Sequence, residues 1–355
     1  MNSSLKLKQL QQIARLLGKT RSGTKSVISE RIVETLDSSK PLAPGTRILS
    51  IDLGIRNLAY SLLEVPGVNH KPPSAKAKKG LKQNPPAAFF STATPILHAW
   101  DRLALIPKTP PPAKPKKGKP TKAKKSKGGV DPDGQDETPA KPPAEADEAL
   151  TTPVIVEDFS PARLSSVAVD LILNKLLPLK PDIITLEQQR FRSKGGSGVY
   201  EWTLRVNSLE SMLYACFTTL QRLGQWPGGR VEGVVARNVL EFMVLQEKVA
   251  GVEVEEIWGK DAENKKVKKG IVARMLGEDE GVEVAAEAGP VAREYMDVWE
   301  GKVRGKQKSE SMKKLDDLAD CLLQGIAFIR WQENKRKLVV GGVEALEDQM
   351  VDEKW

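Results

Sequence analysis

The sequence predicts an α/β protein, a mixed β-sheet with helices on its faces, preceded by a small helical module. Two observations support this fold class. An apolar, β-branched run followed by a turn and a second apolar run is typical of a β-hairpin between Arg47 and Val65. After Thr152, strand patterns alternate with helix patterns, as in a sheet whose faces are covered by helices. We therefore expect one main globular domain built on a central sheet.

Residues 1–37 form the predicted helical module. Apolar residues recur there at helical spacing, first as Leu5, Leu10, Ile13 and Leu17, and then in a second helix from about Thr24 to Leu36. So short a segment buries little surface by itself. We therefore interpret it as a binding element rather than a catalytic one.

The rest of the chain divides by composition. Residues 38–46 contain two prolines and are a predicted linker, 47–340 are the predicted globular domain, and 341–355 are a predicted tail. Two stretches inside the domain, near 66–92 and 107–150, are rich in Lys, Pro and Ala. Such compositions bury too little apolar area to offset the entropy of ordering, so we expect both to be disordered insertions.

The remaining elements follow from hydrophobic periodicity. They are a third strand at 93–106, a helix at 161–177, a strand at 182–187, a glycine-rich loop at 191–199, a long helix at 200–223 and a strand at 231–236, followed by further helices. The long helix has one broad apolar face between Trp202 and Leu220, which predicts that it packs on the core. Residues 277–289 are expected to be another insertion.

Charge is distributed unevenly along the chain. The net charge is +9, yet Lys71–Val130 alone carry fifteen basic residues against one acidic residue, Asp101. A basic surplus favours nucleic acid or another anionic partner, but here it comes largely from segments that are predicted not to fold. The rest of the chain is slightly acidic, so its positive charge has to act locally.

The few cysteines and histidines exclude several kinds of active site. Two cysteines cannot form a disulfide framework or a four-cysteine zinc site, so we expect a reducing interior compartment. His70 and His98 lie in or beside the basic low-complexity region, which argues against zinc bound by histidines and against Ser-His-Asp or Cys-His catalysis. With no apolar run of membrane-spanning length and no signal-peptide core, we expect a soluble protein. Carboxylates must carry any catalysis.

Acidic residues occupy three places that could present a functional group. Asp52 and Glu187 each end an apolar strand, where the alternatives are a turn residue and a solvated strand end. Asp316, Asp317 and Asp320 lie on one side of a predicted helix, away from its apolar stripe, and the alternative there is a solvated acidic face. Neighbouring like charges on a helix repel each other unless a cation lies among them. An acidic cluster in a basic protein therefore suggests a bound metal ion.

The donor types limit which metal is expected. Oxygen ligands without nearby histidine or cysteine select Mg²⁺ or Mn²⁺. Two such ions about 4 Å apart activate water and stabilise the leaving oxygen in phosphodiester hydrolysis. A strand-borne Asp, a strand-borne Glu and a helix-borne Asp cluster are suited to that chemistry, so together they predict a phosphodiester hydrolase with two metal ions.

Four motifs carry a resemblance to a known family. They are Ile51–Ala59, Ile184–Arg190, Leu204–Asn207 with Leu209–Glu210, and Lys313–Asp320. Through them, residues 47–65 and 152–332 resemble the ribonuclease H-like fold of RuvC-type nucleases, and specifically the fungal mitochondrial Holliday junction resolvases. Residues 7–32 are similar to the SAP helix-extension-helix DNA-binding motif, which that family also carries.

The resemblance implies an activity and a set of ligands. It implies a mitochondrial homodimer that cuts four-way DNA junctions symmetrically in DNA recombination, with Mg²⁺ as cofactor and Mn²⁺ as a substitute. Carried over by position, Asp52, Glu187 and Asp320 are expected to be metal ligands. The fourth ligand is Asp316 or Asp317, since both lie on the same helical face as Asp320, and the choice stays open.

Basic and polar residues near these motifs are candidate DNA contacts. Polar and basic side chains directly after Glu187 suit phosphate contact; those we select are Gln188, Gln189, Arg190, Arg192 and Lys194. Arg205 and Asn207 begin the long helix, which in RuvC-type dimers helps to form the subunit interface. Lys313 and Lys314 precede the acidic helix. The alternatives are a flexible surface loop for the first group, intramolecular core for the long helix, and a solvated charged face for the lysines.

Three other functions remain as alternatives. One is a SAP-type DNA-binding scaffold on a nuclease fold that has lost catalysis, although all three acidic positions are retained. Another is a ribonuclease H that acts on RNA–DNA hybrids with similar carboxylates. An actin-like ATPase is disfavoured because Ile55 and Arg56, rather than hydroxyl residues, follow Gly54.

Overall fold

The computed structural model describes residues 5–38, 40–67, 94–106, 157–189, 200–252, 261–277, 281–303, 305 and 308–350. The chain divides into two units, residues 1–106 with 159–355, and residues 107–158. Of the second unit, only Glu157 and Asp158 are described. The predicted insertions near 66–92 and 107–150 lie almost wholly outside the described residues, and so does the predicted glycine-rich loop.

Six strands form one mixed sheet in the order β5-β4-β1-β2-β3-β6. The strands are β1 (Arg47–Asp52), β2 (Leu58–Glu64), β3 (Ile96–Leu103), β4 (Ile183–Glu187), β5 (Arg230–Val234) and β6 (Glu283–Val284). The first three form an antiparallel meander, while β4 is parallel to both β1 and β5. The meander and the parallel half thus share one sheet, as the strand and helix patterns predicted.

Eight α-helices surround the sheet in the described part of the chain. They are α1 (Leu7–Leu16), α2 (Lys25–Asp37), α3 (Pro161–Leu171), α4 (Glu201–Arg222), α5 (Ala236–Val249), α6 (Asp261–Gly277), α7 (Gly289–Trp299) and α8 (Leu315–Gly341). The predicted helix at 161–177 ends early, because a π-helical turn and a 3₁₀ turn follow α3. None of the described helices combines the length and apolar character that a membrane span requires.

Each face of the sheet has its own core. On one face, α3 and α4 cover β1 and β4, with Leu209, Leu213 and Phe217 fully buried. On the other face, α8 crosses β1 and β2. Gly325 permits this close crossing, because a Cβ there would lie 2.7 Å from Leu63 and 3.1 Å from Ser50.

The N-terminal hairpin of α1 and α2 packs on the α8 side of the sheet, where its apolar residues join the same core as α5 and α8. Asn334 and Asn238 each donate a 2.9 Å hydrogen bond, to the carbonyl oxygens of Leu16 and Gly18 respectively. At Gly18, with φ +71°, a Cβ would lie 2.3 Å from the Trp331 ring. The turn after α1 therefore fits directly against α8. The division into a module, a linker and a nuclease domain stays a prediction.

Two expectations about the chain after α6 differ from the structure. Residues 277–289 were expected to be an insertion, but β6 in this stretch pairs with β3 and extends the sheet. Val282 and Ala288 are buried on either side of β6. The sequence did not predict this burial, because the segment is short and consists mostly of small residues. The predicted tail begins with a 3₁₀ helix, Val343–Gln349, which is held by the buried side chain of Leu346.

Candidate active site

Asp52 and Glu187 lie side by side at the carboxyl ends of two adjacent parallel strands. β1 and β4 are paired through Ile51 and Leu186, so the next residue on each strand is the acidic one. Burial is the main cause that raises the pKa of Asp52 well above its usual value, followed by the Glu187 charge and by a hydrogen bond between the two carboxyls. The sheet thus fixes the two carboxyls close together, and the proximity of Glu187 disfavours the charged form of Asp52.

Helix α8 adds two more carboxylates to this pair. The charges of Asp320 and Asp317 also raise the pKa of Asp52, so both lie near it. Burial raises the pKa of Asp317 and of Asp320 to about 6. The Glu187 charge contributes to the shift of Asp320. The four carboxylates therefore occupy one small region in which negative charge is poorly compensated.

Asp316 differs from Asp317 in its surroundings. The ammonium of Lys265, on α6, lies 2.5 Å from Asp316 Oδ2. Burial would raise the pKa of Asp316, but Lys265 outweighs it and the pKa is lowered. Asp317 instead has a buried Oδ2 with no hydrogen-bond partner among the described residues. Of the two neighbours, Asp316 is neutralised by a lysine and Asp317 is not.

The carboxylates suit a divalent cation in chemistry, although they are not a ready ligand set. Among the described residues, no three acidic, histidine or cysteine side chains are arranged as a metal site. Lys268 Nζ lies 2.5 Å from Asp320 Oδ1, so an ammonium group occupies the place of a metal ion at this carboxylate. The oxygen donors, the mutual repulsion and the unpaired Oδ2 of Asp317 all fit a hard divalent ion. The residues present therefore fit the predicted metal, and small side-chain movements are needed to bind it.

Gln324, which sequence reasoning missed, ties the acidic end of α8 to the sheet. Its Nε2 donates 3.2 Å hydrogen bonds to the carbonyl oxygens of Ile51, directly before Asp52, and of Thr185, two residues before Glu187. The side chain is 3% exposed, so these bonds form out of water. The signal that could have found it is its position four residues after Asp320, which places an amide on the same helical face as the aspartates.

Arg102 on β3 fixes the loop that leads into α8. It donates hydrogen bonds to Asn57 Oδ1 at 2.7 Å and to the carbonyl oxygens of Ser311, at 3.2 Å, and Glu310. Ser311 Oγ in turn donates to Asp101 Oδ1 at 2.6 Å. The start of the acidic helix is thus clamped to the β1–β2 turn. Sequence reasoning missed this role, because the partners are far apart in the chain.

Several predicted DNA contacts surround the carboxylates. The backbone N–H of Gln189 donates to Glu210 Oε2 at 3.3 Å, and its side chain donates to the Leu53 carbonyl at 3.4 Å. The Arg205 guanidinium lies 4.2 Å from the centre of the Phe159 ring. Asn207 has a buried Oδ1 without a hydrogen-bond partner in the described part of the chain. The role of these residues as DNA contacts stays a prediction.

The other predicted contacts separate into three places. Lys313 and Lys314 are exposed at the start of α8, where Lys313 pairs with Glu310 and the charge of Lys314 acts on Asp317. Gln188, directly after Glu187, lines a cavity beside the N-terminal hairpin. Three predicted contacts fall outside the described residues, namely Arg190, Arg192 and Lys194.

Comparisons with known proteins agree with the sequence resemblance. A family model described as mitochondrial resolvase Ydc2 / RNA splicing MRS1 matches residues 48–338. The mitochondrial cruciform cutting endonuclease 1 of Schizosaccharomyces pombe is 28% identical over 213 residues, which cover 60% of this chain and 55% of that protein. The chain thus matches about half the length of this relative.

Solved structures show the fold. The crystal structure of the yeast mitochondrial Holliday junction resolvase Ydc2 aligns over 93% of this chain and 95% of that chain, with a TM-score of 0.53 and 20% identity. The predicted ribonuclease H-like fold is thereby confirmed. The RuvC structure of Thermus thermophilus aligns over 81% of this chain and 96% of that chain at 12% identity. Its TM-score of 0.31 is too low to support a shared fold. The SAP-like character of residues 7–32 stays a prediction.

Proposed function

The chain belongs to the mitochondrial resolvase Ydc2 / RNA splicing MRS1 family, and on that basis we propose that it is an endonuclease that resolves four-way DNA junctions in mitochondria. The observation that carries the proposal is the convergence of carboxylates from β1, β4 and α8. A relative named as a cruciform cutting endonuclease and a fold shared with a Holliday junction resolvase support it. DNA recombination is the process in which such a reaction is needed.

Four side chains would hold the metal ions in this proposal, namely Asp52, Glu187, Asp317 and Asp320. Two Mg²⁺ ions, with Mn²⁺ as a substitute, would lower the pKa of a bound water and stabilise the leaving oxygen. We choose Asp317 over Asp316 because its Oδ2 is buried and unpaired, whereas Asp316 is held by Lys265. Gln324 is a positioning residue, since it fixes the strand ends that carry Asp52 and Glu187.

The protein has to hold the scissile phosphate near these carboxylates. Lys313 and Lys314 are exposed beside the acidic end of α8 and can neutralise phosphate oxygens. Arg205 and Asn207 lie on the α4 side, and we assign them to the junction or to the partner subunit. A four-way junction has two equivalent strands to cut, so two active sites in a homodimer with twofold symmetry suit it.

The function is tested with a panel of substrates. A four-way DNA junction, a linear duplex, an RNA–DNA hybrid and a structured RNA are incubated with the protein in Mg²⁺ and in EDTA. Only the junction should be cut, at symmetric positions and only with Mg²⁺. Equal cutting of duplex and junction would refute the assignment, and cutting of the hybrid alone would indicate a ribonuclease H. Tight junction binding without cleavage in Mg²⁺ would indicate the non-catalytic scaffold.

A further inference from the structure

A cavity lies between the N-terminal hairpin and the nuclease fold, on the side of the sheet that α8 covers. Its volume is about 270 Å³. A cavity of about 15 Å³ already holds one water molecule, so this one has room for a phosphate group and its hydration. The lining comes from the turn after α1, from α2, from the end of β4, from β5 and from α8. No residue proposed as a metal ligand is part of that lining.

Positive charge in the cavity exceeds negative charge. Lys19, Arg31 and Lys335 line it together with one acidic residue, Glu232. Arg31 is already engaged, since it donates to the carbonyl oxygens of Thr20 and Ser22. Two lysines therefore remain as the free cations of the cavity, because neither Lys19 nor Lys335 has an acidic partner within 4.0 Å among the described residues.

Lys335 shows the effect of this imbalance. Burial, and then the charge of Lys19, lower the pKa of Lys335 to about 8, although Glu232 opposes the shift. Glu232 is itself 3.6 Å from Arg230, so its charge is shared. The hydrogen bond that Lys335 Nζ donates is to the neutral Gln332 Oε1, at 3.4 Å. A half-buried ammonium without an ion-pair partner within 4.0 Å is costly unless an anion binds it.

Phosphate matches the chemistry of this lining. Its oxygens are strong acceptors and are negatively charged, so they suit the ammonium groups of Lys19 and Lys335.

The cavity is also placed to receive a nucleic-acid strand. Gln188, which lines it, directly follows Glu187 at the end of β4. Because α8 carries both Asp320 and Lys335, the carboxylates and the cavity lie on the same side of the sheet, near the edge where β4 ends. The hydrogen bonds from Asn334 and Asn238 to the α1 turn hold the far wall in place. A strand that leaves the carboxylates across this edge reaches a preformed cationic cavity.

We propose that the cavity between the hairpin and α8 binds a backbone phosphate of the DNA strand that passes the active site, through Lys19 and Lys335. This inference rests on the proposed function for the identity of the strand. The same phosphate chemistry could come from a free anion, so the experiment separates the two sources. The hairpin thereby contributes to DNA binding through its junction with the nuclease fold, and not only through its own exposed surface.

The test measures binding of a fluorescent four-way junction in EDTA, at several salt concentrations. For Lys335→Met we expect about tenfold weaker binding, the effect of one charge-assisted hydrogen bond, and a salt slope reduced by about one contact. Lys19→Met should act in the same direction. Lys175→Met is the matched control, because Lys175 is exposed and lies ahead of β4, at the end of that strand away from the cavity. This variant should bind the junction as tightly as the wild type does.

Protein stability separates a ligand site from a structural role. Lys335→Met should melt at the same or a higher temperature than the wild type, because it removes a half-buried ammonium that has no ion-pair partner among the described residues. Added inorganic phosphate should raise the melting temperature of the wild type but not of this variant. Unchanged junction affinity and salt slope in both lysine variants would overturn the proposal, and a phosphate effect on melting alone would mean a free-anion site. Junction cleavage by the wild type is scored separately, so failure of the proposed function is distinguishable from failure of this inference.

Discussion

Asp317 and Asn334, near the two ends of α8, are in opposite hydrogen-bonding states. Asp317 and Asp320 are half-buried with raised pKa values, and Asp317 has an unpaired carboxylate oxygen. Near its end, the Asn334 amide is satisfied and holds the N-terminal hairpin. Burial of a polar group without a hydrogen-bond partner costs stability, whereas a satisfied buried amide contributes to it. Asp317 is therefore suited to binding a cation, and Asn334 to holding the fold together. The comparison predicts that substitutions at the two ends change different properties.

The largest effect is expected at the acidic end. Asp317→Asn should slow single-turnover junction cleavage by more than about a hundredfold, since even groups outside the ligand shell of a metal cost about 10–100-fold. Asp316→Asn is the matched control one residue away, and we expect a loss below about tenfold because this side chain is paired with Lys265. The reverse order of the two variants would mean that the wrong aspartate was chosen.

Stability should respond most at the end that holds the hairpin. Gly18→Ala should lower the free energy of unfolding by about 2–4 kcal/mol, because it combines a positive φ with a clash against the Trp331 ring. Gly45→Ala, with φ +82° and open space around the added methyl, should cost only about 1 kcal/mol. Denaturant unfolding measures both. Equal losses would show that the turn does not press against α8.

Gln324 connects the two properties. Gln324→Met should lower stability by about 1–3 kcal/mol, because it leaves buried carbonyl groups of β1 and β4 without a donor. It should also lower kcat about tenfold with little change in KM, as expected for a residue that positions metal ligands. Gln221→Met removes a 2.9 Å bond to the Gly229 carbonyl, away from the carboxylates, and should leave kcat unchanged. A kcat equal in both variants would assign Gln324 to stability alone.

The smallest expected effect is on how strongly Mg²⁺ stabilises the protein at different pH values. Because the pKa values of Asp317 and Asp320 are raised to about 6, the folded protein binds these protons more tightly than the unfolded chain does. Their contribution to stability is therefore present near pH 4 and is lost as pH rises through about 6. Mg²⁺ should raise the melting temperature more at pH 7 than at pH 5, and Asp317→Asn should reduce that difference. A Mg²⁺ effect independent of pH and of this substitution would contradict a metal at these carboxylates.

Sequence patterns and the resemblance together located the strands that carry Asp52 and Glu187 and the helix that carries the aspartates. They could not decide between Asp316 and Asp317, because both lie on the same helical face as Asp320, and the difference comes from Lys265 on another helix. Arg102 and the lysines of the cavity were missed for the same reason, since tertiary contacts create their roles. The edge strand β6 was missed because two residues give no periodic pattern.

The most direct measurement is a crystal structure of the protein with Mn²⁺, in which anomalous scattering locates the metal. We predict anomalous density among Asp52, Glu187, Asp317 and Asp320, with Lys268 displaced from Asp320 and Asp316 still paired with Lys265. Density bound to Asp316 in place of Asp317, or no density near these carboxylates at saturating Mn²⁺, would contradict the assignment of this cluster as the metal-dependent active site.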